Sequence, residues 1–195
     1  MARAWMKGAA AAALTAAIGA AGVMGAKAAL TFNNAVTGEV LNLDDAPPEG
    51  KDTEAFKAFV ETGKNAYLGN PSCLAKGEQL FLAMCSGCHG QKGEGKLGPG
   101  LNDSYWTYPQ GATDKGLFEL IFGGASGQMG PMYGSMNVDE MLLTMAWVRH
   151  LYKDKPEDAG EWMTAELKAS YKPFDGKTPP PKPAADAPES CKTDE

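Results

Sequence analysis

The chain is poor in the residues that most metalloenzymes and nucleic-acid binders depend on. Among 195 residues there are two histidines and four cysteines. A structural zinc centre needs four ligands at metal spacing, usually two Cys or His pairs. Here one C-x-x-C stands alone, and Cys73, His150 and Cys191 form no second pair. Basic residues are also short, 18 Lys and Arg against 24 Asp and Glu, for a net charge of −6. That balance argues against nucleic acid as the main partner, which would call for a basic face. No EF-hand pattern occurs in the acidic stretches 44–54 and 157–166, which read as solvated surface. No internal repeat is present, and nothing after residue 28 approaches the length of a transmembrane run. The length suits one domain with extensions.

What is present begins with an export signal. Arg3 and Lys7 precede an uncharged, Ala-rich run over residues 8–26, and Ala26-Lys27-Ala28 follows. A charged start, an apolar middle and an A-x-A site predict a secretory signal peptide over 1–28. The alternative is a membrane anchor, for which an Ala-rich, Gly-interrupted run is weakly hydrophobic. Cleavage removes Arg3, Lys7 and Lys27 and no acid, so the mature chain carries 15 basic and 24 acidic residues, net −9. The product is expected to be exported, without a membrane span, and placed where cysteines can pair.

The mature chain reads as mainly helical. Two β-like runs around Thr37-Gly38 predict a short hairpin over 31–43. Thr53 can cap a helix to about Thr62 that ends at Gly63. Gly77, Leu80, Phe81 and Met84 recur at helical spacing and predict a helix from Leu74 to Cys85. Residues 90–113 form a Gly/Pro-rich loop, and Asp114 can cap a helix to Phe122. Asn137 or Asp139 starts a long helix to about Tyr152, and Thr164 caps a short one. The tail from Lys177 to Ser190, with five prolines, cannot build a core by itself. The expected division is a signal over 1–28, an N-terminal extension over 29–72, a core over 73–152 and a C-terminal extension over 153–195. Gly77 leaves a notch into which Trp147 and Leu151 can pack.

The chemistry lies in Cys85-Ser86-Gly87-Cys88-His89. C-x-x-C-H is the attachment sequence of c-type haem. Two thiols at that separation reach the two vinyl groups, and the following His is held under the iron. A redox-active dithiol would call instead for a βαβ setting, which the helical pattern lacks. His150, the other histidine, reads as a packing residue. Met129 and Met132 stand in the glycine-rich stretch 123–136, where a core-filling role fits poorly; either can supply a distal thioether. Pro99, Leu101, Tyr105 and Trp106 are candidates for the haem wall. Cys73 and Cys191 are expected to pair and to pin the tail before the haem helix. The alternatives are free thiols or a bridge between molecules.

Four stretches, GEQLFLAMCSGCHG (77–90), GKLGPGLNDSYWTYP (95–109), TDKGLFELIFGGASGQMGP (113–131) and DEMLLTMAWVRHLY (139–152), together with TGEVLNL (37–43) and the late Cys191, resemble the cytochrome c-L family. These are haem proteins that accept electrons from quinoprotein methanol dehydrogenase in methylotrophic bacteria. The resemblance runs over about residues 30–195. It implies a class I cytochrome c core carrying one covalent haem, a disulfide-tethered tail, and a monomeric periplasmic electron carrier rather than an enzyme. It also implies a pyrroloquinoline quinone (PQQ)-dependent methanol dehydrogenase as donor, of calcium or lanthanide type, and a smaller cytochrome c as acceptor. The family's distal ligand falls at the residue after Gly-Pro, which selects Met132 over Met129. A bound calcium is also implied, with no residues assigned to it here. The remaining readings are a generic periplasmic carrier for another dehydrogenase and a haem-based ligand sensor. A peroxidase-like enzyme would usually need a second C-x-x-C-H.

Overall fold

The computed structural model describes Met1 and residues 30–193, so the export signal expected over 1–28 lies outside the described residues. Among the described residues six α-helices follow one another: α1 (Glu54–Thr62), α2 (Pro71–Met84), α3 (Ser86–His89), α4 (Asp114–Gly123), α5 (Val138–His150) and α6 (Ala165–Ser170). Five of these starts carry a side-chain cap, and α3 has none. Thr53 accepts the Phe56 amide at α1, and Thr164 accepts the Leu167 amide at α6. Asn137 and Glu140 cap α5 reciprocally. Two starts differ from the sequence expectation. The first turn of α2 begins at Pro71, because Asn70 accepts the Ser72 amide and proline suits the first helical position. The cap of α4 is Thr113, whose hydroxyl accepts the Gly116 amide, so Asp114 is left to turn inward and is buried.

The hairpin expected over 31–43 does not form. Among the described residues there is one isolated antiparallel bridge, Asn33 with Val40, and no strand. The Asn33 amide donates to Glu119 Oε1, and Asn34 Oδ1 accepts the Val36 and Thr37 amides. The two backbone bonds across that bridge, from the Asn34 amide to Glu39 O and from the Leu41 amide to Phe32 O, are made, and the pairing extends no further. Val36 and Val40 stay exposed, while Phe32 is buried.

α2 and α5 form the centre of the fold. A Cβ on Gly77 would lie 2.4 Å from the Leu143 carbonyl oxygen and 3.1 Å from Trp147 Cβ. Only glycine permits that approach. The expected notch is therefore real, filled by the α5 backbone at Leu143 as well as by Trp147. A chain of rings joins the N-terminal extension to the rest. Phe32 stacks on Phe59 of α1, both meet Phe118 of α4, and Phe118 meets Phe122, which faces Tyr133 beside Met132. The rings thereby run along one face of α4 to the methionine loop. A smaller cluster of Tyr152, Ala159, Trp162 and Met163 gathers the start of the C-terminal extension.

The tail returns to α2 through a Cys73–Cys191 disulfide, with both residues fully buried. Next to it, Tyr67 donates to Asp139 while Ser190 shares its hydroxyl, and Thr53 donates to Asp139 Oδ1 at 2.7 Å. His150 packs between the rings of Trp147 and Phe174, and burial lowers its pKa. It takes no part in the cavity below.

Candidate functional site

Cys85 closes α2 and opens α3, so Cys85, Cys88 and His89 share one short turn. The chain then doubles back over it. The Gly95 amide donates to His89 O at 2.7 Å, and the Gly98 amide donates to Cys88 O at 2.9 Å. This brings the Pro99 carbonyl 2.8 Å from His89 Nδ1. A carbonyl only accepts, so Nδ1 carries the proton and the Nε2 lone pair is left for a metal. Buried His89 is thus oriented by its own loop.

Opposite stands the loop after α4. It leaves the helix through Gly124 at φ 78°, where a Cβ would meet Met129 O at 2.7 Å. The Met132 amide donates to Ile121 O, and its carbonyl accepts the Ser135 and Met136 amides. Met132 is therefore pinned on both sides, whereas Met129 is held through one bond, from the Ala125 amide to its carbonyl.

Between the two loops lies a cavity of about 560 Å³. Cys85, Cys88, His89, Pro99, Leu101, Trp106, Met129 and Met132 all line it. The volume falls within the range of cofactor sites. The structure does not place Tyr105 there. That residue is 71% exposed and turns its amide to Asp103 instead. Tyr108, three residues on, lines the cavity, and its hydroxyl accepts the Ser126 amide at 3.1 Å. The sequence reading also missed Leu117, Leu120 and Ile121 of α4 and Thr144 and Val148 of α5, which complete the wall. The helical spacing of the α4 residues was the one signal that could have found them.

Cys85 and Cys88 are both free of disulfides. Burial, with Cys88 alongside, pushes the Cys85 thiol up to about 11. A thiol held protonated is a poor metal ligand and a poor redox nucleophile. The residues fit a covalent haem: two thiols at vinyl spacing, an oriented imidazole and two thioethers around one largely apolar cavity. Among the described residues no group of three or more His, Cys, Asp or Glu side chains is placed to hold a metal ion.

A helical fold wrapped by its loops around a C-x-x-C-H turn, with methionines across the cavity, defines a class I c-type cytochrome. Comparison with known proteins narrows the class. Residues 73–148 match the family model described as cytochrome c oxidase, cbb3-type, subunit III. Cytochrome c-L of Methylorubrum extorquens is 53% identical over 150 residues, which cover 77% of this chain and 76% of that protein. The crystal structure of cytochrome cL from Hyphomicrobium denitrificans superposes with a TM-score of 0.72 at 55% identity, covering 77% of this chain and 89% of that one. Cytochrome cL from the marine methylotrophic bacterium Methylophaga aminisulfidivorans gives 0.71 at 49%, with coverages of 75% and 96%. The chain belongs to the cytochrome c-L family. It is an electron-transfer protein with covalently bound haem c, not an enzyme.

Proposed function

We propose that this cytochrome accepts single electrons from a PQQ-dependent methanol dehydrogenase in the periplasm and passes them to a smaller cytochrome c. The observation that carries the reading is the joint placement of Cys85, Cys88, His89 and Met132 around one cavity in a chain so close to cytochrome c-L. Cys85 and Cys88 would hold the haem through thioethers, and His89 Nε2 and Met132, with Met129 as second choice, would ligate its iron. The bound haem supplies a one-electron couple. The protein orients the imidazole through Pro99 O, keeps water from the iron with Trp106, Leu117, Leu120 and Ile121, and leaves an edge for partners. That edge is apolar: Leu97, 84% exposed, and exposed Met84 both line the cavity. No helix among the described residues is long and apolar enough to cross a membrane. In this reading residues 1–28 direct export and the mature chain, net −9, works as a monomer.

Stopped-flow reduction by calcium-loaded and by lanthanide-loaded methanol dehydrogenase tests the donor. Rapid reduction by one of them, slowed by salt as steering between opposite charges requires, is expected. Failure of both to reduce the cytochrome overturns the assignment. For the distal ligand, Met132→Leu should abolish the methionine–iron absorbance band, and Met129→Leu should leave it. The opposite pair of results assigns the ligand to Met129.

Gly98→Ala probes the proximal side. A Cβ there would lie 2.8 Å from His89 Cε1 and 3.0 Å from Nδ1, too close for an imidazole already tied to Pro99 O. The ring must shift, at a cost of about 1–3 kcal/mol. The expected result is a high-spin fraction in the absorption spectrum and a lower thermal midpoint. Gly100→Ala, whose Cβ meets nothing nearer than Asp103 Oδ2 at 3.3 Å, should show neither.

A further inference from the structure

Thr144 sits in the middle of α5, is fully buried and lines the cavity, yet its Oγ1 has no hydrogen-bond partner. Hydroxyls on helices ordinarily donate back to the carbonyl one turn earlier. Thr62 does so to Ala58 O, and Ser86 to Leu82 O, both at 2.7 Å. Thr144 does not. Its neighbours on the cavity wall, Val148 one turn on and Leu117, Leu120 and Ile121 of α4, are apolar and offer nothing in exchange. A buried hydroxyl left unpaired destabilises the folded protein. Valine has nearly the same shape and would carry no such cost.

We infer that Thr144 Oγ1 makes a polar contact to an oxygen at the haem, and that through it α5 helps to set the balance between oxidised and reduced protein. The oxygen is a haem carboxylate or a water held between α5 and the macrocycle; the two present the same hydrogen-bonding chemistry to the hydroxyl. The inference rests on the reading of the cavity as the haem site. A dipole fixed in a low-dielectric cavity acts on the charge of the haem more strongly than the same dipole in water. Thr144 is in this sense a positioning and tuning residue, with no part in ligation.

The test is the midpoint potential of the haem-loaded protein with Thr144→Val and Thr144→Ser. Valine should shift the redox equilibrium against a fixed reference couple by about fivefold or more, roughly 40 mV at about 59 mV per decade. Serine, which keeps the hydroxyl, should stay close to wild type. Potentials measured from about pH 5 to about pH 9 separate the two oxygens: with a haem carboxylate, valine also changes the pH dependence, and with a water it shifts the curve without reshaping it. A valine variant with wild-type potential and pH profile overturns the inference, as does a serine variant that behaves like valine. If valine prevents assembly, a slowly exchanging Thr144 hydroxyl proton in the reduced wild-type NMR spectrum supports the contact, and its absence overturns it. A purified wild type without covalent haem would overturn the reading of the cavity itself, a separable failure.

Discussion

Replacing Cys73 and Cys191 together by alanine should lower the unfolding free energy by about 3–5 kcal/mol. The bridge closes a loop of 118 residues in sequence, long enough that its release gives the unfolded chain much new freedom. Folded-state losses act in the same direction, since both sulfurs are fully buried and alanine leaves their space unfilled. The bridge also stands beside the polar knot of Thr53, Tyr67, Asp139 and Ser190, which draws on α1, α5 and the tail. Between Lys177 and Pro188 few bonds hold the tail elsewhere; one is the Ala184 amide to Ser72 Oγ at 3.2 Å. Two measurements follow. The urea midpoint should drop, and proteases should cut within 177–188 in the variant while sparing the oxidised wild type. An unchanged midpoint together with an intact tail would show that the core and the polar knot hold the extension without the bridge.

Legibility in the sequence followed the range of the interactions. C-x-x-C-H, the caps at Thr53, Asn137 and Thr164 and the Gly77 notch are local patterns, and each has a structural counterpart. The hairpin over 31–43 shrinks to one bridge, and the contacts that hold this segment are long-range: the Asn33 amide on Glu119, 86 residues away, and Phe32 among the rings of α1 and α4. Tyr105 and Tyr108 could not be ranked from the sequence YWTYP. An extended loop has no fixed face until something bends it. Here the 3-10 turn Pro109–Ala112 and the Ser126 amide turn Tyr108 inward. Both methionines proved to line one cavity, so placement alone narrows the choice less than the backbone bonds that pin Met132. Arg149 left no local trace at all. A charged residue near the end of a helix reads as solvent-facing, and its burial is set by partners on three other segments.

Removing those partners' cation is the second large effect. Arg149 is 4% exposed. Its NH2 donates to Gly111 O at 2.8 Å and Thr113 O at 3.0 Å, and its Nε lies 3.5 Å from Asp114 Oδ1. The guanidinium faces Trp106 of the cavity wall at 5.0 Å and Trp162 of the C-terminal cluster at 4.9 Å. One planar cation thus joins the cavity wall, the start of α4 and the extension. Burial lowers the Arg149 pKa to about 10, which leaves it charged at neutral pH. Burial also raises Asp114 despite the arginine beside it. Arg149→Leu would strand that carboxylate, and breaking a buried pair in this way costs about 3–5 kcal/mol. Lysine should rescue little, because it cannot stack between two indoles while serving two carbonyls. Adding Asp114→Asn to Arg149→Leu should restore part of the loss, a coupling that a double-mutant cycle measures directly. The charge argument also fixes a sign with pH. Without the arginine, Asp114 is raised further above its ordinary 3.8. A group with a raised folded-state pKa stabilises fully below its unfolded value, and that contribution is lost as pH rises through the folded one. The gap in urea midpoint between wild type and Arg149→Leu should therefore be narrow near pH 4 and widen toward neutrality. A gap that stays constant would mean that the arginine holds Trp106 and the two carbonyls, and that the charge on Asp114 is not what it answers.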